Sequence, residues 1–173
     1  MSTNMFLKFE DAKMGKDMLT GEADDEKHAG WIEIVSWNHS FEQPATGFRT
    51  STGSTVEKCK HENMAVTKYI DTTTPGMLKC VWGGKQLDKA TIVCYRAGAP
   101  DGTNQPIEYL KVIMEEVVIA TYGIGGAEGD MPQEELGLSY GKVQYVYHPK
   151  DKITGAKGEM KQAKVSLIDN KIE

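Results

Sequence analysis

Trp31–Phe41 reads W-I-E-I-V-S-W-N-H-S-F, and the reading of the whole chain turns on it. Large apolar side chains stand at the odd positions Trp31, Val35, Trp37 and Phe41. Ile32, Ile34, Ser36, Asn38 and Ser40 stand at even ones. Successive side chains of a strand point to opposite faces. The stretch therefore predicts one long β-strand with two unlike surfaces. The odd face is expected in the core. The even face begins apolar and ends in small polar groups, as in a sheet packed on one side and wetted on the other.

On the N-terminal side, Met5–Phe9 predicts a short strand, and polar Met14–Lys27, with Glu22, Asp24, Asp25 and Glu26, predicts a loop. On the C-terminal side, Pro44–Glu57 has no hydrophobic period and is rich in Thr, Ser and Gly. Loops of this length inside a compact domain are usually functional or mobile. Phe48 and Arg49 stand alone in it. They read either as a contact point for a partner or as an aromatic folded back on its own domain. Cys59–Ile70 predicts a second strand, alternating most clearly from Met64. Thr72–Gly84 predicts the helix, with Thr74 as N-cap, Pro75 at the first helical position and Gly83-Gly84 as the stop. Its apolar stripe is Met77, Leu78, Val81 and Trp82.

Further along, Ala90–Ala97 and Ile107–Thr121 predict strands joined through a turn containing Asp101-Gly102. Tyr122–Gly137 reads as an acidic, glycine-rich loop. Leu138–Tyr147 reads as a strand whose apolar phase slips at Gly141, the mark of a β-bulge. Pro149–Glu159 is a turn and Gln162–Ile168 a final strand. The pattern predicts a mainly β protein of seven or eight strands: an antiparallel barrel or sandwich with one short helix on its side and long polar loops. A single domain over 1–173 is expected.

Composition narrows the function. Apolar residues make up 39% and charged residues 26% of the chain, as in globular proteins. The formal net charge is −5, and Lys and Arg form no stripe, which argues against nucleic acid and anionic membrane surfaces as partners. No apolar run is long enough to span a bilayer, and the N-terminus has no signal-peptide h-region. The three cysteines, Cys59, Cys80 and Cys94, form no C-x-x-C pair and read as reduced thiols, at least partly buried.

Catalytic patterns fail one by one. His61-Glu62 opens like a zinc-protease motif, but the second histidine is absent. Gly123–Gly129 has its third glycine one place late for a dinucleotide cradle, with acidic residues following. His28, His39, His61 and His148 lack ligand spacing. Glu115 and Glu116 are adjacent, so a strand sends them to opposite faces. Asn38-His39-Ser40 fits a glycosylation pattern but lies in a predicted strand. The residues point to a non-enzymatic β-protein with no catalytic site, metal or cofactor.

Several stretches together resemble Hcp, the haemolysin-coregulated tube protein of bacterial type VI secretion systems. Met5-Phe6-Leu7-Lys8 resembles the family's opening strand, and His28 leading into Ile32–Trp37 its second. Thr67–Asp71 with Thr74-Pro75 resembles the lead into the family's helix. Ala90 through Gly98 and Ile107–Leu110 resemble its next two strands. Their order and spacing span nearly the whole chain. Gly21-Glu22-Ala23 stands where family members often read Gly-Glu-Ser, and His39 replaces the second aromatic of a Trp-x-Trp pattern.

The resemblance implies a two-sheet β-barrel with a side helix, assembled into homohexameric rings around a wide channel. The rings stack into a tube that a contractile sheath drives, behind a spike protein, out of the cell. The channel carries and stabilises small effector proteins. The implied route is synthesis in the bacterial cytoplasm and secretion without a signal peptide. By the same resemblance, Ser36, Asn38 and Ser40 line the channel, and Gly47, Phe48 and Arg49 sit in the ring-stacking loop. The competing readings are a monomeric β-barrel that binds a small ligand and a tail-tube subunit of another contractile particle. The bulky odd face argues against a ligand cavity, because Trp31, Trp37 and Phe41 would fill it.

Overall fold

The structure is a computed structural model that describes residues 4–14, 18–44, 57–97, 105–151 and 155–173. Among the described residues it holds twelve strands and one helix. The strands are β1 (Met5–Glu10), β2 (Ile32–Glu33), β3 (Ser36–Asn38), β4 (Phe41–Glu42), β5 (Lys60–His61), β6 (Met64–Tyr69), β7 (Gln86–Arg96), β8 (Ile107–Gly125), β9 (Gln133–Ser139), β10 (Lys142–Tyr147), β11 (Lys161–Ser166) and β12 (Lys171–Ile172). The helix is α1 (Thr74–Trp82). The protein is mainly β, antiparallel, with one short helix, as expected from the sequence.

β8 organises the strands. Its first half lies between β7 and β10, in the order β12-β11-β10-β8-β7-β1-β2. Its second half pairs with β9, which leads through β6 to β3. One strand thus feeds two sheets. The turnover point is Glu116, whose φ is +55°, a conformation rare for a residue with a Cβ. Gly141 faces it: a Cβ there would lie 2.8 Å from the Glu116 carboxylate and 2.9 Å from Ile168. The register runs unbroken past this point, with Glu115 opposite Lys142 and Val118 opposite Ser139. Gly141 therefore marks a shared kink rather than the predicted bulge; the register shift on this ladder falls between Ile119 and Thr121.

The stretch 31–41 is not one long strand. β2 pairs with β1, and β3 pairs with β6 in the other sheet. Between them, the Ile34 amide donates to Met5 O at 3.1 Å and the Val35 amide donates to Thr67 O at 2.8 Å. The chain crosses from sheet to sheet in one residue, and its inward phase flips there. Ile32 and Ile34 are fully or nearly buried, whereas Val35 is 44% exposed. Trp37 then packs against the core from an odd position. Trp31 serves a second, smaller cluster with Phe6, Ala23, Val93 and Tyr95. Phe41 is exposed. The predicted odd-face core is thus corrected to Ile32, Ile34 and Trp37. The crossing also replaces a ladder at the barrel seam, so hydrogen-bonded strands alone do not close a barrel.

Other boundaries move as well. Tyr122–Gly137 is mostly strand: β8 runs to Gly125 and β9 begins at Gln133. On α1 the N-cap is Thr73, one residue earlier than predicted, and its side chain makes no cap bond. Instead Asp71 accepts from the Thr73 amide and hydroxyl, while the Thr74 hydroxyl donates to Glu134 at 2.6 Å. Gly84, at φ +61°, ends the helix, with the Lys85 amide donating to Cys80 O and the Gly84 amide to Val81 O. The buried helix face is Thr74, Gly76, Met77 and Cys80, and Trp82 points outward.

A buried ion cluster ties α1 to the sheets. Lys68 is wholly buried, its Nζ 2.5 Å from Glu134 and 2.9 Å from Asp71, and it donates to Tyr69 O at 3.0 Å. Removing one partner strands the others in a dry site, at about 3–5 kcal/mol. Lys68→Met should therefore lower the unfolding free energy by about that amount, and Lys68→Met with Glu134→Leu should recover part of it. Urea unfolding of the two variants checks this; a double variant no more stable than the single one contradicts it.

Candidate functional site

Four strands make one wetted wall: β3, β6, β9 and the second half of β8. Register aligns their side chains in rows. Ser36 lies opposite Thr67, Thr67 opposite Glu135, and Glu135 opposite Gly123. Asn38 lies opposite Ala65, Ala65 opposite Gly137, and Gly137 opposite Thr121. The intervening row Trp37, Val66, Leu136 and Tyr122 points the other way, into or against the core. Ser36, Asn38, Thr121, Gly123 and Glu135 are all exposed. Gly137 is buried beneath Thr121, whose Oγ1 would lie 2.1 Å from a Cβ at 137.

Of the expected wall residues, Ser36 and Asn38 share this face, and Ser40 follows β3 with its carbonyl accepting from the Glu62 amide at 3.1 Å. Ser40 is exposed. Gly47, Phe48 and Arg49 lie outside the described residues. The sequence reading missed Thr67, Thr121, Gly123 and Glu135 as members of the wall. The period-2 pair Leu136 and Leu138 was the available signal. It was masked by Glu134, which points inward as a charge because Lys68 waits for it.

Behind Phe41 sits a second constellation. The histidines that looked scattered in sequence meet there. His61 Nδ1 and His39 Nε2 each lie 2.7 Å from the Tyr140 hydroxyl, and His39 Nδ1 lies 2.5 Å from the Tyr145 hydroxyl. One neutral arrangement satisfies all four: Tyr145 donates to His39, His39 to Tyr140, and Tyr140 to His61. Burial pushes His39 down to about 4, with the His61 ring adding to the lowering, and burial also lowers His61. Burial likewise pushes Tyr145 up to about 12 and raises Tyr140. Neither tyrosine is a nucleophile near neutrality, and the chain holds the β4–β5 ribbon against β10.

His28 is also structural. It stacks on Phe6 at 4.7 Å and lies 2.8 Å from the Tyr95 hydroxyl, with Asp25 on its other nitrogen. Cys80 and Cys94 are buried, and burial raises both thiols; Cys59 is exposed, contrary to the expected burial. Among the described residues, no group of three His, Cys, Asp or Glu side chains is placed to hold a metal. No described helix is long and apolar enough to cross a membrane.

The architecture has close relatives. The family model "Type VI secretion system effector, Hcp" matches residues 6–147. The chain belongs to the Hcp family. It is 32% identical to protein hcp1 of Pseudomonas aeruginosa over 158 residues, covering 91% of this chain and 90% of that protein. A solved type six secretion system protein superposes with a TM-score of 0.85 at 23% identity, covering 99% of this chain and all of that one. Hcp1 from Salmonella typhimurium superposes at 0.73 and 24% identity, each chain fully covered. The protein is thus a structural tube subunit of a type VI secretion system.

The histidine pair carries a pH dependence. The unfolded chain takes up protons near 6.5, whereas folded His39 waits until about 4. Between those values the unfolded state binds more protons, so stability falls as pH drops from about 6.5 towards 4. The thermal midpoint should decline across that window, and His39→Phe should flatten the decline. An unchanged slope in the variant contradicts the assignment.

Proposed function

We propose that the β3-β6-β9-β8 face is the channel wall of a hexameric ring, and that Ser36, Asn38 and Ser40 contact small effector proteins held inside. The supporting observation is the wall itself: rows of Ser, Asn, Thr, Ala and Gly, with Ser36, Asn38, Thr121 and Gly123 exposed and Glu135 as the acidic group. Such a surface makes adaptable, weak polar contacts, which suits a carrier of varied cargo better than a charged or greasy one. The sheet also has unused lateral edges. Among the described residues, β3 pairs only with β6, and 119–125 of β8 pair only with β9. Open edges recruit further strands. Six sheets joined edge to edge through unlike edges close a ring, as a cyclic assembly requires.

In this reading the rings stack through the loop bearing Gly47, Phe48 and Arg49. The stacked tube meets a spike protein at its tip and a contractile sheath around it. It is made in the bacterial cytoplasm, exported by the secretion machine without a signal peptide, and performs no catalysis.

Asn38→Arg should preserve the hexamer in light scattering and reduce effector recovered with it by at least tenfold. An unmatched charge facing cargo needs to cost only about 1.4 kcal/mol for that loss. Undiminished recovery would remove Asn38 from the site. Deleting Gly47–Thr52 should leave rings and abolish tubes at high protein concentration, as seen by electron microscopy; persistent tubes would remove the loop from the stacking contact.

A further inference from the structure

Exposed apolar groups gather at the two ends of β6. At one end, an apolar groove of ≈ 590 Å³ opens between the β4–β5 ribbon and β11–β12. Phe41, Tyr145, Ala163, Val165 and Ile172 line it, with Lys58 and Lys164 at its walls. Phe41 is 48% and Ile172 83% exposed. At the other end, the β8–β9 tip carries exposed Ile124 and Met131, beside Tyr69 and Ile70 at the end of β6. The Ile70 amide donates to Pro132 O at 3.0 Å, so the tip is fastened to that end of β6. His61 and Ile70 are nine residues apart, which at roughly 3.3 Å per residue puts the two patches on the order of 30 Å apart along the strands.

Charge divides the same way. From 112 to 141 the chain has no Lys or Arg and six carboxylates; from 142 to 173 it has seven lysines against four carboxylates. The tip offers Glu128 and Asp130 around its apolar residues. The groove offers Lys58 and Lys164, with Glu57 also on its wall. An acidic apolar protrusion and a lysine-walled apolar groove on opposite ends of one molecule form a heterologous pair.

We propose that the groove receives the β8–β9 tip of a second copy of this chain, stacked along the tube axis. This rests on the channel-wall reading. If the lateral edges of the wall close the ring, the strand ends face up and down the axis. Head and tail of successive rings then meet through these two patches in addition to the loop bearing Gly47, Phe48 and Arg49, and each ring repeats the contact six times. The contact also fixes polarity, because two grooves or two tips brought together oppose like charges.

Cys59 lines the groove and is exposed, whereas Cys80 and Cys94 are buried, so the chain carries its own reporter. Met131→Cys places a thiol on the tip. In tubes assembled from that variant, mild oxidation should give disulfide-linked products longer than six copies, and adding Cys59→Ser should abolish them. Lys164→Glu should shorten the tubes with hexamer mass unchanged, and Asp130→Lys in the same chain should restore them. Products that stop at six copies would put the contact inside a ring and overturn the axial assignment. Stacked wild-type rings whose variant forms no such product overturn it too. Wild-type protein that forms no ring would instead overturn the channel-wall reading, and the contact with it.

Discussion

Two adjacent amides hold the two sheets in register. Ile34 donates to β1 and Val35 donates to β6. Neighbouring residues of a strand point their amides to opposite sides. A chain at the seam between two sheets can therefore satisfy both with consecutive residues and no turn. The geometry has a consequence for side chains. Where the chain changes sheets, the core changes sides, so the apolar positions jump from Ile32 and Ile34 to Trp37. Beyond the jump, Ser36 and Asn38 face outward on what becomes the wall. The polar face exists because the crossing put it there.

β8 solves the same problem on the far side by a different route. Nineteen residues run through both sheets, and the strand bends instead of breaking. The bend stands on Glu116 in a left-handed conformation with Gly141 opposite it. A residue larger than glycine at 141 would bring its Cβ within 2.8 Å of the Glu116 carboxylate and 2.9 Å of Ile168, so the ends of those two side chains would have to shift. The phase slip visible at Gly141 in the sequence is thus real, but its cause lies in a strand partner twenty-five residues away.

Local pattern made the β-rich class, the helix and most strand positions legible, because alternation and glycine stops act over a few residues. Met64–Tyr69 and Ala90–Arg96 are clear for that reason. Errors fell where long-range packing overrides pattern. Val35 looked like core because nothing local announces a sheet crossing. Gln133–Gly137 looked like loop because Glu134 sits at an inward position, and its partner Lys68 is sixty-six residues away. Parity along the strand puts Asn38 on the exposed face. Its row partners Ala65, Gly137 and Thr121 come from three separate strands, and only pairing aligns them with it. His39, His61 and the pair Tyr140 and Tyr145 could not be assembled by spacing, since they come from three separate segments.

The distribution of charge follows the division between wall and ends. The two aligned rows of the wall are nearly neutral, while acidic groups collect at the β8–β9 tip and lysines along β10–β12. In the proposed channel, a wall that must release its cargo would gain little from strong local charge, since each tight ion pair would hold one cargo and repel others. Contacts between copies have the opposite requirement: they must reject wrong orientations, and opposed like charges do this where apolar surface alone does not. In the proposed assembly, keeping charge at the β8–β9 tip and along β10–β12, away from the aligned rows of the wall, separates the two demands within one subunit.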